Sequence, residues 1–240
     1  MSFVPLSHFL SSVFFVGSFR RHRVILSAGL LGFGLTGAAL LASQAKSTGP
    51  TPDEALARLV DGNKRFVAGS VTHPNQTAER RLAVANGQAP FAIILTCADS
   101  RVSPEIYFDQ GIGDLFVIRN AGNILDDHVI GSMEYAVEHL HASLIVVVGH
   151  SKCGAVSAAA AGGEAPGHIR SIVGAIEPAV EKVKGQPGDK VDNALRANAQ
   201  HVAGILRRVE PILGEAVKTG HVKVVAARYD LESGQIELLP

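Results

Sequence analysis

The sequence predicts an α/β fold: a mainly parallel β-sheet flanked by α-helices, with an N-terminal helical arm and a C-terminal hairpin strand. Three observations carry this. Short runs of β-branched and leucine residues alternate with stretches of helical periodicity through most of the 240 residues, the pattern of strands joined by crossover helices. The runs Phe91 to Leu95 and Leu144 to Val148 are apolar at every position, as in strands covered on both faces. Each run ends in a turn carrying a cysteine, and ligands in open α/β sheets bind at such strand ends.

Taken in order, Thr51-Pro52-Asp53-Glu54 reads as an N-cap, a proline at the first helical position and an acidic first turn. The helix it opens runs to about Val67, apolar at Ala55, Leu56, Leu59 and Phe66, and on an isolated domain it has no evident surface to pack on. Thr72 to Gln76 is a loop, Ala78 to Asn86 a short helix, and Gln88-Ala89-Pro90 leads into the first strand. Ser103-Pro104-Glu105 starts a short segment to Phe108. Asp114 to Arg119 is a second strand, and Asn120 to Asn123 a loop. A helix from Asp127 to His141 feeds the Leu144 strand, and Gly154 is expected to supply the tight turn into the alanine-rich helix that follows. Helices over His168 to Lys184 and Lys190 to Val209, and a turn or two over Pro211 to Thr219, precede a strand from Val222 to Tyr229. Glu232-Ser233-Gly234 joins it to a return strand from Gln235 to Leu239.

The segment 1–45 reads as an export signal, leaving 46–240 as a single domain. Arg20-Arg21-His22-Arg23 precedes an uncharged stretch ending in Ser43-Gln44-Ala45, and small residues at −3 and −1 predict cleavage after Ala45. Arg20-Arg21 resembles the arginine pair of a twin-arginine signal, with Arg23 where that signal has an apolar residue. The expected location is therefore periplasmic or otherwise exported. The alternative is an uncleaved membrane anchor, although Gly29, Gly32, Gly34 and Gly37 make a poor permanent helix.

Beyond that segment 19 basic residues face 22 acidic ones, and there is no Trp. A net negative domain without an aromatic stacking platform argues against a nucleic-acid partner.

The chain has two cysteines, Cys97 and Cys153. If the two apolar strands are neighbours, Cys97, His150 and Cys153 meet as a Cys₂His set, the catalytic zinc pattern that leaves a fourth position open. Two other readings stay open on the residues alone: a Cys97 to Cys153 disulfide, favoured by an oxidising compartment, and a structural zinc site closed by a His or by Asp99. Asp99 and Arg101, two residues apart on the turn after the strand, can pair, which would orient the carboxylate and keep it ionised. His128, His139 and His141 read as solvated positions around one helix.

Cys97-Ala98-Asp99-Ser100-Arg101 together with His150-Ser151-Lys152-Cys153-Gly154 resembles the β-class carbonic anhydrases. The likeness extends to Asp114 to Asn123 and Ser132 to Val137, so it covers roughly Leu56 to Leu239. It implies reversible hydration of CO₂ to bicarbonate and a proton by zinc-bound hydroxide, with Zn²⁺ as cofactor on Cys97, His150 and Cys153. It implies that Asp99 accepts the hydroxide proton and that Arg101 orients it; without Arg101, Asp99 can swing onto the metal and close the site. Gln88 matches a position that hydrogen-bonds substrate, and Phe116, Ala121 and Tyr135 match positions lining a small apolar pocket. The resemblance further implies a homodimer or dimer of dimers, each pocket completed by a second subunit and the N-terminal helix wrapping the partner. A bicarbonate-inhibited branch of the family uses a Trp that this chain lacks. Hydrolysis of carbonyl sulfide or carbon disulfide on the same metal, or a non-catalytic zinc- or bicarbonate-binding role, are the alternatives.

Overall fold

A computed structural model describes residues 49–240; the predicted export segment lies outside the described residues. The sheet has five strands in the order β2-β1-β3-β4-β5: β1 (Ala92–Cys97), β2 (Leu115–Asn120), β3 (Leu144–His150), β4 (Lys223–Tyr229) and β5 (Ile236–Leu239). β1 pairs in parallel with β2 and β3, β3 in parallel with β4, and β5 returns antiparallel on β4. Every residue of β1 and β3 is buried.

The reason is that alternate side chains serve two different cores. Ile93, Leu95, Ile145 and Val147 face one side, against Val129, Met133 and Val137 of helix α4 (Asp127–Glu138), Val202 and Leu206 of α7 (Lys190–Leu206) and Leu213 of α8 (Leu213–Lys218). Ile94, Val146 and Val148 face the other, against Ala55 and Leu59 of α1 (Pro52–Val67) and Tyr107 of α3 (Pro104–Tyr107). A short helix α2 (Ala78–Ala83) flanks the sheet's approach, and α5 (Gly154–Ala161) and α6 (Ile169–Lys182) form a third apolar cluster with Cys97 and Cys153 at the carboxyl ends of the strands.

The N-terminal arm departs from expectation, because it has a place to pack on its own chain. Thr51 and Glu54 form a reciprocal capping box, with the Thr51 N–H 2.8 Å from Glu54 Oε2 and the Glu54 N–H 3.3 Å from Thr51 Oγ1, worth about 1 kcal/mol. Ala55 and Leu59 are buried, and at Gly62 the helix comes so close to α3 that an added Cβ would sit 1.7 Å from the Phe108 carbonyl oxygen. The arm is also held electrostatically. Asp109 accepts from Arg65 Nε at 2.6 Å, from the Thr72 N–H at 3.0 Å and from the His73 N–H at 2.9 Å. Burial works to raise the Asp109 pKa, but these donors outweigh it and hold the carboxyl down to about 2.

The helix after β3 also starts differently from expectation. The residue that turns the chain in the left-handed region is Lys152, with φ 55°, and Gly154 is the first residue of α5, with open space where a side chain would stand.

Replacing Asp109 with Asn leaves a buried site short of the charge that five contacts are arranged around, and should cost about 2 kcal/mol at neutral pH. The folded pKa lies below the unfolded one, so the contribution is complete above about pH 4 and disappears as pH falls toward about 2. Thermal melts of parent and variant should differ at pH 7 and converge in acid.

Candidate metal centre

Parallel pairing of β1 with β3 carries the first ligands to one place. Ala92 aligns with Leu144 and Thr96 with Val148, so Cys97 leaves its strand beside Gly149, one residue before His150. The chain then turns through Lys152, and Cys153 caps α5. Its sulfur thus stands at a helix N-terminus, where the positive end of the helix favours a thiolate. The ligand atoms of Cys97, His150 and Cys153 all lie within 4.8 Å of one another, and all three residues are buried. Both cysteines are free thiols.

The protonation pattern suits a cation. His150 Nδ1 lies 2.9 Å from the Ser151 carbonyl oxygen; a carbonyl only accepts, so Nδ1 carries the hydrogen and Nε2 presents a lone pair. That Nε2 is buried without a protein partner. A hydrogen bond from the Cys153 thiol holds Cys97 well below the ordinary thiol range, with burial opposing it, and the same contact together with burial pushes Cys153 up. Two sulfurs sharing one proton beside a bare imidazole nitrogen form a set that a soft or borderline divalent metal completes by displacing that proton.

Asp99 stands beside this set. Arg101 binds it through Nε to Oδ1 at 2.9 Å, Nη2 to Oδ2 at 2.7 Å and its backbone N–H to Oδ1 at 3.0 Å. Asp99 Oδ2 is 3.9 Å from His150 Nε2. The Arg101 hydrogen bonds keep the Asp99 carboxyl far below the usual carboxylate range, against a desolvation effect in the opposite direction. The side chain of Asp99 is 17% exposed and that of Arg101 54%, so the carboxylate is screened while its partner lies at the mouth of the site.

Residues not singled out from the sequence hold this geometry. Arg119 at the end of β2 donates to the carbonyls of Cys97 at 3.2 Å and Asp99 at 2.7 Å, stapling the turn between them. The Gly122 N–H donates to Cys97 Sγ at 3.4 Å. Ser151 is tied to the start of the β4–β5 connection, its N–H on the Tyr229 carbonyl at 2.9 Å and its Oγ accepting from the Leu231 N–H at 2.9 Å. Lys152 pairs with Glu232 on the same connection.

The match to known proteins bears on this constellation. Residues 92–236 match the family model described as carbonic anhydrase, a span from the first residue of β1 into β5. The chain belongs to the β-carbonic anhydrase family. It is 41% identical over 191 residues to carbonic anhydrase 2 of Mycobacterium tuberculosis, covering 78% of this chain and 92% of that one. With the carbonic anhydrase of Mycolicibacterium smegmatis it shares 40% over 191 residues, covering 78% and 93%. Among solved structures it resembles a tetrameric β-carbonic anhydrase of Sordaria macrospora, with a TM-score of 0.64 and 26% identity over 78% of this chain and 97% of that one. It also resembles the Coccomyxa β-carbonic anhydrase complexed with acetazolamide, with a TM-score of 0.61 and 27% identity over 77% and 86%. The chain is accordingly a carbonic anhydrase, a lyase whose general reaction is hydration of CO₂.

Of the four residues predicted to contact substrate, one joins this chain's metal set. Ala121 begins the 3₁₀ turn Ala121–Asn123 next to Gly122. Phe116 aligns with Ile93, while Asn120 aligns with Cys97, which puts Phe116 roughly 13 Å back along the strands. Tyr135 lies with it, the ring centroids 6.5 Å apart. Gln88 is exposed on the loop that leads into β1, which enters the sheet at the end opposite Cys97.

Cys153→Ser removes one thiolate and keeps the volume. Metal content per chain, measured on protein dialysed against a weak chelator, should fall from about one to near zero; stoichiometric metal in the variant would contradict the ligand set.

Proposed function

We propose that this chain catalyses reversible hydration of CO₂ to bicarbonate, with Zn²⁺ held by Cys97, His150 and Cys153. The observation that carries the reading is that three ligand atoms converge while Asp99 is held beside them by Arg101. Two thiolates and one imidazole with an open position are a catalytic zinc donor set, and zinc in such a set lowers the pKa of its water to about 7 and acts as a Lewis acid. The site residues do the rest. Asp99 stays ionised throughout the neutral range, so it serves as a permanent hydrogen-bond acceptor for the group at the water position, and Arg101 fixes the direction in which its lone pairs point. His150 keeps its donor nitrogen on Ser151, so its only free function is ligation. Gln88 would donate its side-chain amide to a substrate oxygen, and Phe116, Ala121 and Tyr135 would supply apolar walls for a nonpolar gas.

We further propose that the working unit is at least a dimer. Gln88, Phe116 and Tyr135 lie at the end of the sheet opposite this chain's metal set, and Tyr135 is 48% exposed, so a second copy supplies these groups to the first copy's ligands. The tetrameric state described for the Sordaria macrospora relatives supports this reading.

Two measurements test the proposals. In stopped-flow CO₂ hydration from about pH 6.5 to about pH 9, turnover should rise with pH. Asp99→Asn should lower it by about 100-fold or more with zinc content unchanged; full turnover in that variant would refute the role of Asp99. Cys153→Ser and Gln88→Ala chains, each near inactive alone, should regain activity when unfolded together and refolded as mixed assemblies. Failure to complement would mean that each chain completes its own pocket.

A further inference from the structure

The inner face of α7 is apolar except at Asn198. Around it Ala194, Leu195, Ala199 and Val202 are buried, and Asn198 itself is 1% exposed. A buried amide costs about 1–3 kcal/mol when its hydrogen bonds are missing. Asn198 makes one: its Nδ2 donates to the Gly122 carbonyl oxygen at 2.9 Å. The orientation is forced, because a carbonyl accepts and cannot donate, so the nitrogen must face it. Oδ1 is left buried with no partner. A leucine would pack at this place without that penalty, so what the amide provides is its hold on Gly122.

Gly122 is the residue whose own N–H reaches Cys97 Sγ. It sits at φ 78°, and an added Cβ would come within 2.7 Å of Ile176 Cδ1 and 3.2 Å of Ala155 Cβ. Helices α5 and α6 therefore close off one side of its Cα, and Asn198 of α7 holds its carbonyl from another. With φ set by these neighbours, the direction of the carbonyl and the direction of the N–H are coupled through one residue.

We infer that Asn198 is a positioning residue for the metal centre, fixing Gly122 so that its N–H stays aimed at the sulfur of Cys97. A donor on a ligating sulfur adjusts how strongly that thiolate binds, the kind of outer contact that governs metal affinity. This inference rests on Cys97 being a ligand, as proposed above.

The test uses the full domain with two variants of nearly unchanged volume. Asn198→Asp sets an acceptor against the Gly122 carbonyl, and Asn198→Leu removes the donor. Zinc dissociation constants are measured by competition with a chromophoric chelator, and the thiolate-to-metal charge-transfer band is recorded on the Co²⁺-loaded protein. Both variants should bind zinc about 10-fold more weakly and show a shifted or weakened band. Affinity within twofold of the parent and an unchanged band, in either variant that keeps the parent's far-ultraviolet circular dichroism, would overturn the inference, whatever happens to its melting temperature. Should neither variant fold, ¹¹³Cd-loaded, ¹⁵N-labelled parent decides: scalar coupling from the metal to the Gly122 amide proton supports the N–H···S contact, and its absence overturns it. If the parent shows no charge-transfer band, the ligand assignment itself has failed, and both readings fall.

Discussion

The metal centre depends on the register of two parallel strands. β1 and β3 are hydrogen-bonded neighbours whose carboxyl ends lie side by side, and each hands one ligand to the same point within a residue of its last ladder bond. A slip of one residue would turn Cys97 to the opposite face of the sheet. The register is held because both strands are buried on both faces, with Ile93, Leu95, Ile145 and Val147 in one core and Ile94, Val146 and Val148 in the other. A one-residue slip exchanges the two sets at once. The packing that stabilises the domain is thus also what aims the ligands.

Around that point the chain places polar groups where burial would ordinarily forbid them. A bare imidazole nitrogen, two thiols and a carboxylate held by a bidentate arginine sit in a frame built by contacts from separate parts of the chain: the Ser151 carbonyl on His150 Nδ1, the Gly122 N–H on Cys97 Sγ, and the Arg119 guanidinium on the backbone carbonyls of Cys97 and Asp99. Each contact removes a freedom that the group would otherwise have, of tautomer, rotamer or backbone direction. Asp99 illustrates the consequence. Both of its oxygens are taken by Arg101, so the carboxylate stays ionised and is held beside the three ligand-type side chains.

The far end of the sheet is organised on other terms. Phe116, partly buried on the edge strand β2, and the more exposed Tyr135 of α4 meet there with their rings tilted by 43° and their centroids 6.5 Å apart. A large, partly apolar side chain left exposed, as Tyr135 is, is ordinary at surfaces that meet another copy. Phe116 and Tyr135 share no packing with the metal set of the same chain, which fits an arrangement in which each subunit serves its neighbour.

Much of this was legible in the residues. Unbroken apolar runs announce doubly covered strands, and a Cys or His just past such a run announces a ligand at a strand end, because those positions follow from local periodicity and from the chemistry of the side chains. The Asp99 and Arg101 pair was readable for the same reason, as two complementary charges two residues apart. Contacts between distant segments were not readable. That Lys152 and not Gly154 takes the left-handed turn, that α1 has a seat against Phe108, and that Asn198 reaches Gly122, 76 residues away, and through it the N–H on Cys97 depend on which helix lies over which strand. The sequence by itself determined the ligand types, their strand-end positions and the class of fold. The tertiary structure alone decided which backbone groups meet the ligands, since a buried polar group takes whatever partner the packing brings within hydrogen-bond reach.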